Sequence, residues 1–398
     1  MKSPSLLFVV NEAYFLVSHR LRLARTAQKM GFAVHVAAPE DYVWVRPGFS
    51  TAELAEEGFV FHPLPISRRG QNPFRELATY ISILRLFRRV RPDVVHLLTI
   101  KPILYGGIAA RIARVPGAVV AVTGLGEVFI ARGVLAALRR MLVKRLLRLA
   151  LGHRNMHVVF QSEGDRATIE AIGALRHSRA SAIFPGSGVD LAEFMPRPDP
   201  DGTPLIVLAA RLIWDKGVAE FVDAARLLRR QGVVARFALV GATHASNPRA
   251  VPADQLRSWA EDGVVEHWGH RDDMPAVLAQ CHIFCLPTTY GEGVPRVLLE
   301  AAATGRPIVA TDIPGCREVV DHGKNGILVP KNDAAALAAA LRELILDGSR
   351  RRAMGRRARE VVEERFDERI VVARTIDLYR DLVSKDFEER AFVRTDSQ

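Results

Sequence analysis

Ile283 to Asp312 reads IFCLPTTYGEGVPRVLLEAAATGRPIVATD. A short apolar run, IFCLP, enters a loop rich in threonine and glycine. A helical pattern opens near Pro295, where proline suits the first turn, and a second apolar run, PIVAT, follows. Continuous apolar strands joined through a helix belong to a parallel sheet covered on both faces. The stretch also holds two glutamates eight positions apart, Glu292 in the Gly-rich turn and Glu300 within the helix.

The same alternation runs outward in both directions. SLLFVV, AVHVAAP, DVVHLL, AVVAVT, HVVF and SAIF read as strands of a first half. PLIVLAA, RFALVG, VVEHWG, IFCLP, PIVAT and GILVP read as strands of a second, with helical periods between most of them. Each half is expected to be a doubly wound α/β domain. Between them, Pro185 to Pro204 (PGSGVDLAEFMPRPDPDGTP) has no sustained period and reads as the linker. The expected domains are residues 1–190 and 203–365, with a C-terminal helix from about 366 to 398 returning to the first.

A chain of 398 residues is too long for one ordinary core. The three cysteines, Cys281, Cys285 and Cys316, imply no disulfide framework; CHIFCLP suggests that the first two are buried in a strand. No run approaches the roughly 20 apolar residues of a spanning helix, and the N-terminal apolar run is too short for a signal peptide. A cytoplasmic protein is expected.

The net charge of +11 points to an anionic partner: phosphorylated substrates, an acidic membrane face or nucleic acid. Interleaved aromatics and nucleic-acid modules are missing, which argues against the last. Between Glu127 and Glu163 the chain carries no acidic residue but contains Arg132, Arg139, Arg140, Lys144, Arg145, Arg148 and Arg154. Within it, Leu135, Leu138, Leu142, Leu146 and Leu149 form one helical stripe, and Arg140, Lys144 and Arg148 another. This is either a helix packed on its sheet with a solvated basic face or a surface helix drawn to anionic lipid. Leu84 to Pro92 can extend the same patch.

Doubly wound sheets bind ligands beyond the carboxyl ends of their strands. Arg211 and Lys216 follow PLIVLAA, Gly241 ends RFALVG, and Gly291 to Val297 follow IFCLP. A helix start near Pro295 offers free N–H groups and a positive dipole end to an anion. Gly291 and Gly293 allow close backbone approach, and Arg211 and Lys216 can add charge. A carboxylate beside a diphosphate is repelled, so Glu292 suits a sugar hydroxyl. Glu300, further along the helix, suits a ribose. Taken singly, Glu292 reads equally as a carboxylate on a helix dipole and Glu300 as a solvated side chain.

These residues resemble the Glu-(seven residues)-Glu motif of the retaining glycosyltransferase family 4, which has the GT-B fold. ARLIWDKGVAEFVDAARLL resembles the family's Arg…Lys-Gly segment, and TIKPILYGGIAARIARVP, VTGLGEVF and PGCREVV resemble its CapM-like and PglA-like subgroup. The resemblance implies two Rossmann-like domains facing across a cleft. It implies a metal-independent, cofactor-free hexosyltransferase that moves a hexose or N-acetylhexosamine from a UDP-sugar to a polyprenyl-diphosphate-linked saccharide, on the inner face of the membrane. Carried over by position, Arg211 and Lys216 hold the diphosphate and Glu300 the ribose. Glu292 faces the sugar, the backbone of Gly293, Val294, Arg296 and Val297 completes the phosphate site, and Gly269 to Arg271 border the base. Many members have a histidine after the fifth strand; here that loop offers Thr123, Gly124 and Gly126 instead, so no imidazole acts from it. His19 and Arg20, beside the first loop, read as contacts to the acceptor's phosphates, with His19 equally a packing residue. Lys101, just after the strand in LLTIKP, is likewise a candidate acceptor contact.

The first loop lacks G-x-G-x-x-G, which disfavours a dinucleotide oxidoreductase. Asp199-Pro-Asp201 spells the D-x-D of metal-dependent transferases but lies in the linker, so no metal is expected. A nucleotide-sugar sensor would need no Glu292, and a GT-B epimerase would need no membrane-facing helix.

Overall fold

The computed structural model describes residues 3–40, 50–67, 72–122, 134–175, 180–184, 186–243, 247–289 and 293–383. The chain forms two compact units. The first comprises Met1–Phe184 with Val371–Gln398, and the second Pro185–Ile370.

In the first unit the strands are β1 (Ser5–Val9), β2 (Ala33–Ala38), β3 (Val60–Pro63), β4 (Val94–Leu98), β5 (Gly117–Val122), β6 (Met156–Phe160) and β7 (Ala180–Ile183). All pair parallel, in the order β3-β2-β1-β4-β5-β6-β7. The helices are α1 (Ala13–Lys29), α2 (Ala52–Glu56), α3 (Pro73–Val90), α4 (Gly107–Ala113), α5 (Val134–Ala150) and α6 (Glu163–Ala171), with a π-helical turn, Pro102–Gly106, leading into α4. Strand β3 escapes the sequence reading because its residues, VFHP, are only half-buried at the sheet edge and carry no apolar run. Helix α3 starts where Asn72 accepts hydrogen bonds from the amides of Phe74 and Arg75, with Pro73 at the first position.

The second unit carries β8 (Leu205–Ala209), β9 (Arg236–Val240), β10 (Glu266–Gly269), β11 (Ile283–Leu286), β12 (Ile308–Thr311) and β13 (Gly326–Val329), in the parallel order β10-β9-β8-β11-β12-β13. Its helices are α7 (Val218–Arg230), α8 (Ala253–Glu261), α9 (Met274–Gln280), α10 (Arg296–Ala303), α11 (Pro314–Arg317), α12 (Ala334–Leu346) and α13 (Gly348–Arg365). A last helix, α14 (Glu368–Leu382), begins in the second unit and continues in the first, where Val371, Ile376 and Tyr379 join the core. Each sheet has an apolar core on both faces.

Two readings change. The stretch 185–204 is not a free linker: Val189 and Phe194 are buried in the second unit's core, and the Arg197 amide bonds the Thr304 carbonyl. Asp199, the first residue of the D-x-D string, receives the nearly buried guanidinium of Arg351 at 2.7 Å. Missing periodicity does not mean missing packing, because an irregular segment can bury single side chains without repeating a pattern. Among the described side chains of α5, Val143, Leu147 and Ala150 are buried, whereas Leu142 (57%) and Leu149 (51%) of the leucine stripe stand exposed; the side chains of Leu135 and Leu138 lie outside the described residues. Cys281 is buried but sits at the end of α9; only Cys285 is in the strand.

Candidate functional site

In both sheets the strand order reverses once, between β1 and β4 and between β8 and β11. Parallel α/β sheets bind ligands at the carboxyl ends of such strands.

At the second reversal, β8 leads through Arg211 to a tight turn, Trp214–Lys216, and then to Gly217. Across from it, β11 runs out through Pro287, Thr288 and Thr289. The Asp215 carbonyl binds these two exits together. It accepts from the Thr289 amide at 2.9 Å, the Thr288 hydroxyl at 3.0 Å and the Thr289 hydroxyl at 3.3 Å. Gly217 has φ +73°, and a Cβ there would stand 2.0 Å from the Pro287 carbonyl oxygen. Only glycine permits this approach, so the backbone fixes Lys216 beside the exit of β11. The Asp215 carboxylate pairs with Arg249 at 3.2 Å, and the Trp214 amide bonds the Arg249 carbonyl. Gly241 is fixed in the same way, since a Cβ would stand 1.8 Å from the Ala210 carbonyl, and its amide bonds the Gly269 carbonyl at 2.7 Å.

Gly291 and Glu292 lie outside the described residues. After them, Val294 packs on the core, and Gly186, at φ +69°, brings its backbone against it; a Cβ would be 3.2 Å from that of Val294. Helix α10 opens after Pro295 with no side-chain cap and no acidic residue in its first turn, leaving that end positive. Arg296 and Val297 begin it. The Arg296 Nε donates to Glu300 at 2.9 Å, one turn along. Burial raises the Glu300 carboxyl above its ordinary range, against the pull of Arg296. Gly269, at φ +68°, has open space where a side chain would be. Arg271 makes a two-pronged pair with Asp273, at 2.6 and 2.5 Å.

In the first unit, Thr123, Gly124 and Gly126 lie outside the described residues, as does the side chain of Arg139. His19 stacks on Phe15, with ring centres 4.5 Å apart, and shares a 2.6 Å hydrogen bond with Ser18. Arg20 is buried on α1. The Lys101 ammonium donates to the Ser67 carbonyl and to Glu76, both at 2.6 Å, while the Tyr105 hydroxyl reaches the other Glu76 oxygen at 2.6 Å. Glu76 thus clamps both ends of the π-helical turn. On α5, Lys144, Arg145 and Arg148 are exposed beside Met141 and Leu142, and the Arg148 Nε bonds the Ile172 carbonyl. With Arg140 they line a groove of about 390 Å³.

Sequence reasoning missed Gly186, Asp215, Gly217 and Glu76. The Lys-Gly dipeptide was a signal for Gly217; the bonds of Asp215 and Glu76 left none. Among the described residues, no group of three His, Cys, Asp or Glu side chains could hold a metal ion.

Residues 5–153 match a family model described as glycosyl transferase 4-like, and residues 203–347 one described as glycosyl transferases group 1. The chain belongs to the family 4-like glycosyltransferases. It is 28% identical over 353 residues to an N,N'-diacetylbacillosaminyl-diphospho-undecaprenol α-1,3-N-acetylgalactosaminyltransferase of Campylobacter jejuni, covering 85% of this chain and 90% of that one. It is 22% identical to the capsular polysaccharide biosynthesis glycosyltransferase CapM of Staphylococcus aureus, covering 82% and 86%. Its fold is GT-B: it superposes on Anabaena HepE, solved with UDP and glucose, with a TM-score of 0.73 at 18% identity, over 95% of this chain and 99% of that one. The glycosyltransferase therefore carries its positive helix end and Lys216 where a GT-B sheet reverses its strand order.

Proposed function

We propose that the enzyme moves a hexose or N-acetylhexosamine from a UDP-sugar to a polyprenyl-diphosphate-linked saccharide, with retention and without a metal. The observation that carries this reading is the joining of the Lys216 turn to the exit of β11 through the Asp215 carbonyl. It supports a diphosphate held between Lys216, Arg211 and the uncapped start of α10, a site whose charge is supplied without a cation. Glu300 then takes the ribose. Its raised carboxyl pKa suits a group that hydrogen-bonds neutral hydroxyls. Glu292, one residue before Gly293, faces the donor sugar. In front-face attack the departing phosphate takes the acceptor's proton, so no protein base is required.

The Campylobacter relative's lipid-linked acceptor supports the acceptor class. The exposed basic and apolar residues of α5 support docking on the anionic inner face of the membrane. No helix among the described residues is long and apolar enough to cross one, and a lipid-linked acceptor leaves the bilayer only at about 0.8 kcal/mol per CH₂. Purified enzyme should release UDP from one UDP-sugar in a panel and extend a polyprenyl-diphosphate-linked saccharide with an α-linkage, in excess chelator. No transfer to any lipid-linked acceptor would overturn the reading, and a requirement for divalent cation would overturn its metal-free part.

A further inference from the structure

In the first unit one residue combines two unfavourable features. Thr99 leaves β4 with φ +73°, a left-handed conformation that costs a β-branched residue far more than glycine. Its Oγ1 is buried and has no hydrogen-bond partner among the described residues, although buried hydroxyls are almost always satisfied. Strain of this kind persists where the surrounding structure enforces it, and it clusters at functional sites.

The surroundings do enforce it. Thr99 stands at the exit of β4 beside β1, where the sheet order reverses. Its carbonyl accepts the Ile103 amide at 3.0 Å, and the chain passes directly into the π-helical turn Pro102–Gly106. Such turns are rare and frequent at functional sites. The clamp from Glu76 to Lys101 and Tyr105 holds that turn from both ends. A glycine at 99 would meet the same backbone geometry without strain, so the conformation alone gives no reason for a threonine.

We propose that Thr99 is an acceptor-binding residue, whose hydroxyl donates to an oxygen of the lipid-linked saccharide. The inference rests on the acceptor class proposed above. The hydroxyl's missing partner is then the substrate, and Thr99 stands at the strand exit where a parallel sheet with this reversal receives a ligand. The oxygen belongs either to the diphosphate or to the sugar; a donor hydroxyl serves both.

Three variants test this with initial rates at varied acceptor and varied donor. Thr99→Val keeps the branched shape and removes the donor hydrogen; the acceptor KM should rise about tenfold or more while the donor KM stays within twofold. Thr99→Ser keeps the hydroxyl and should restore the acceptor KM to within about threefold of the parent. Thr99→Gly removes both strain and hydroxyl; its Tm should match or exceed the parent's while its acceptor KM rises as in Thr99→Val. A soluble glycoside of the same saccharide without the diphosphate assigns the oxygen. A Thr99→Val penalty that persists places it on the sugar, and one that vanishes places it on the phosphate. A parental acceptor KM in Thr99→Val overturns the proposal, as does a Thr99→Gly that lowers Tm by several degrees or a Thr99→Ser that rescues nothing. If the parent enzyme itself extends no lipid-linked saccharide, the acceptor class falls and this assignment with it. Parental transfer with an unaffected Thr99→Val removes only the assignment.

Discussion

The two units solve one problem in different ways. In the second, backbone approach fixes the strand exits at the reversal: Gly217 against Pro287, Gly241 against Ala210, and the Asp215 carbonyl against two threonines. In the first, side chains do so, with Glu76 spanning Lys101 and Tyr105 around a strained Thr99. Contacts between backbones tolerate no substitution at the glycine. Side-chain clamps can be rebuilt with other residues, which would suit the acceptor site proposed for this unit. A diphosphate is common to many nucleotide-sugar donors, whereas acceptors vary.

The largest effect expected comes from breaking a backbone approach. Gly217 and Gly232 have almost the same φ, +73° and +72°, but only Gly217 lacks room for a Cβ; Gly232 has nothing within 4 Å. Gly232→Ala should cost about 1 kcal/mol, the left-handed strain alone. Gly217→Ala adds overpacking and should cost about 2–5 kcal/mol, with loss of turnover. Equal costs in urea unfolding would show that the space around Gly217 is not what constrains it.

Lys216→Ala should lower kcat about 10²–10³-fold, the usual loss for one oriented electrostatic contact, while leaving Tm near the parent's. A parental kcat would remove Lys216 from the diphosphate site. In the first unit, replacing Arg140, Lys144 and Arg148 together by glutamine should weaken binding to anionic vesicles by up to about 3 kcal/mol, at about 1 kcal/mol per charge. High salt should reproduce the effect. Binding that is unchanged across salt concentrations would make the basic face of α5 merely solvated.

The smallest effect concerns the sheet edge. His35 and His62 share a 2.9 Å hydrogen bond between β2 and β3. Burial first, then His35 and Arg89, lower the His62 pKa from 6.5 to about 4. The unfolded chain therefore takes up this proton at a higher pH than the folded one. The stability is complete above pH 6.5 and is lost as pH falls towards 4, by about 1 kcal/mol once solvent screening is allowed for. His62→Gln should flatten the dependence of Tm on pH between 7.5 and 5; an unaltered slope would place it elsewhere.

How much of this could be read from the sequence follows from what each feature depends on. The buried strands other than β3 were legible because parallel strands covered on both faces must be apolar throughout. The start of α10 was legible because proline and the Gly-rich turn act within a few residues. Stretch 185–204 was misread because its partners, Thr304 and Arg351, lie far along the chain. The sequence left open which residues of α5 face the sheet, because its apolar residues spread around the helix; Val143 and Leu147 are buried and Leu146 packs beside them, while Leu142 and Leu149 stand exposed.

By itself, the sequence determined the two parallel α/β halves, the surplus of positive charge and the loop types at the strand ends, since these rest on local pattern and composition. Only the tertiary structure decided which glycines lack room for a side chain, which carboxylate clamps the π-helical turn and where a threonine is forced into a left-handed turn. Those properties belong to pairs of segments distant in the chain, and no single segment encodes the space its neighbour will occupy.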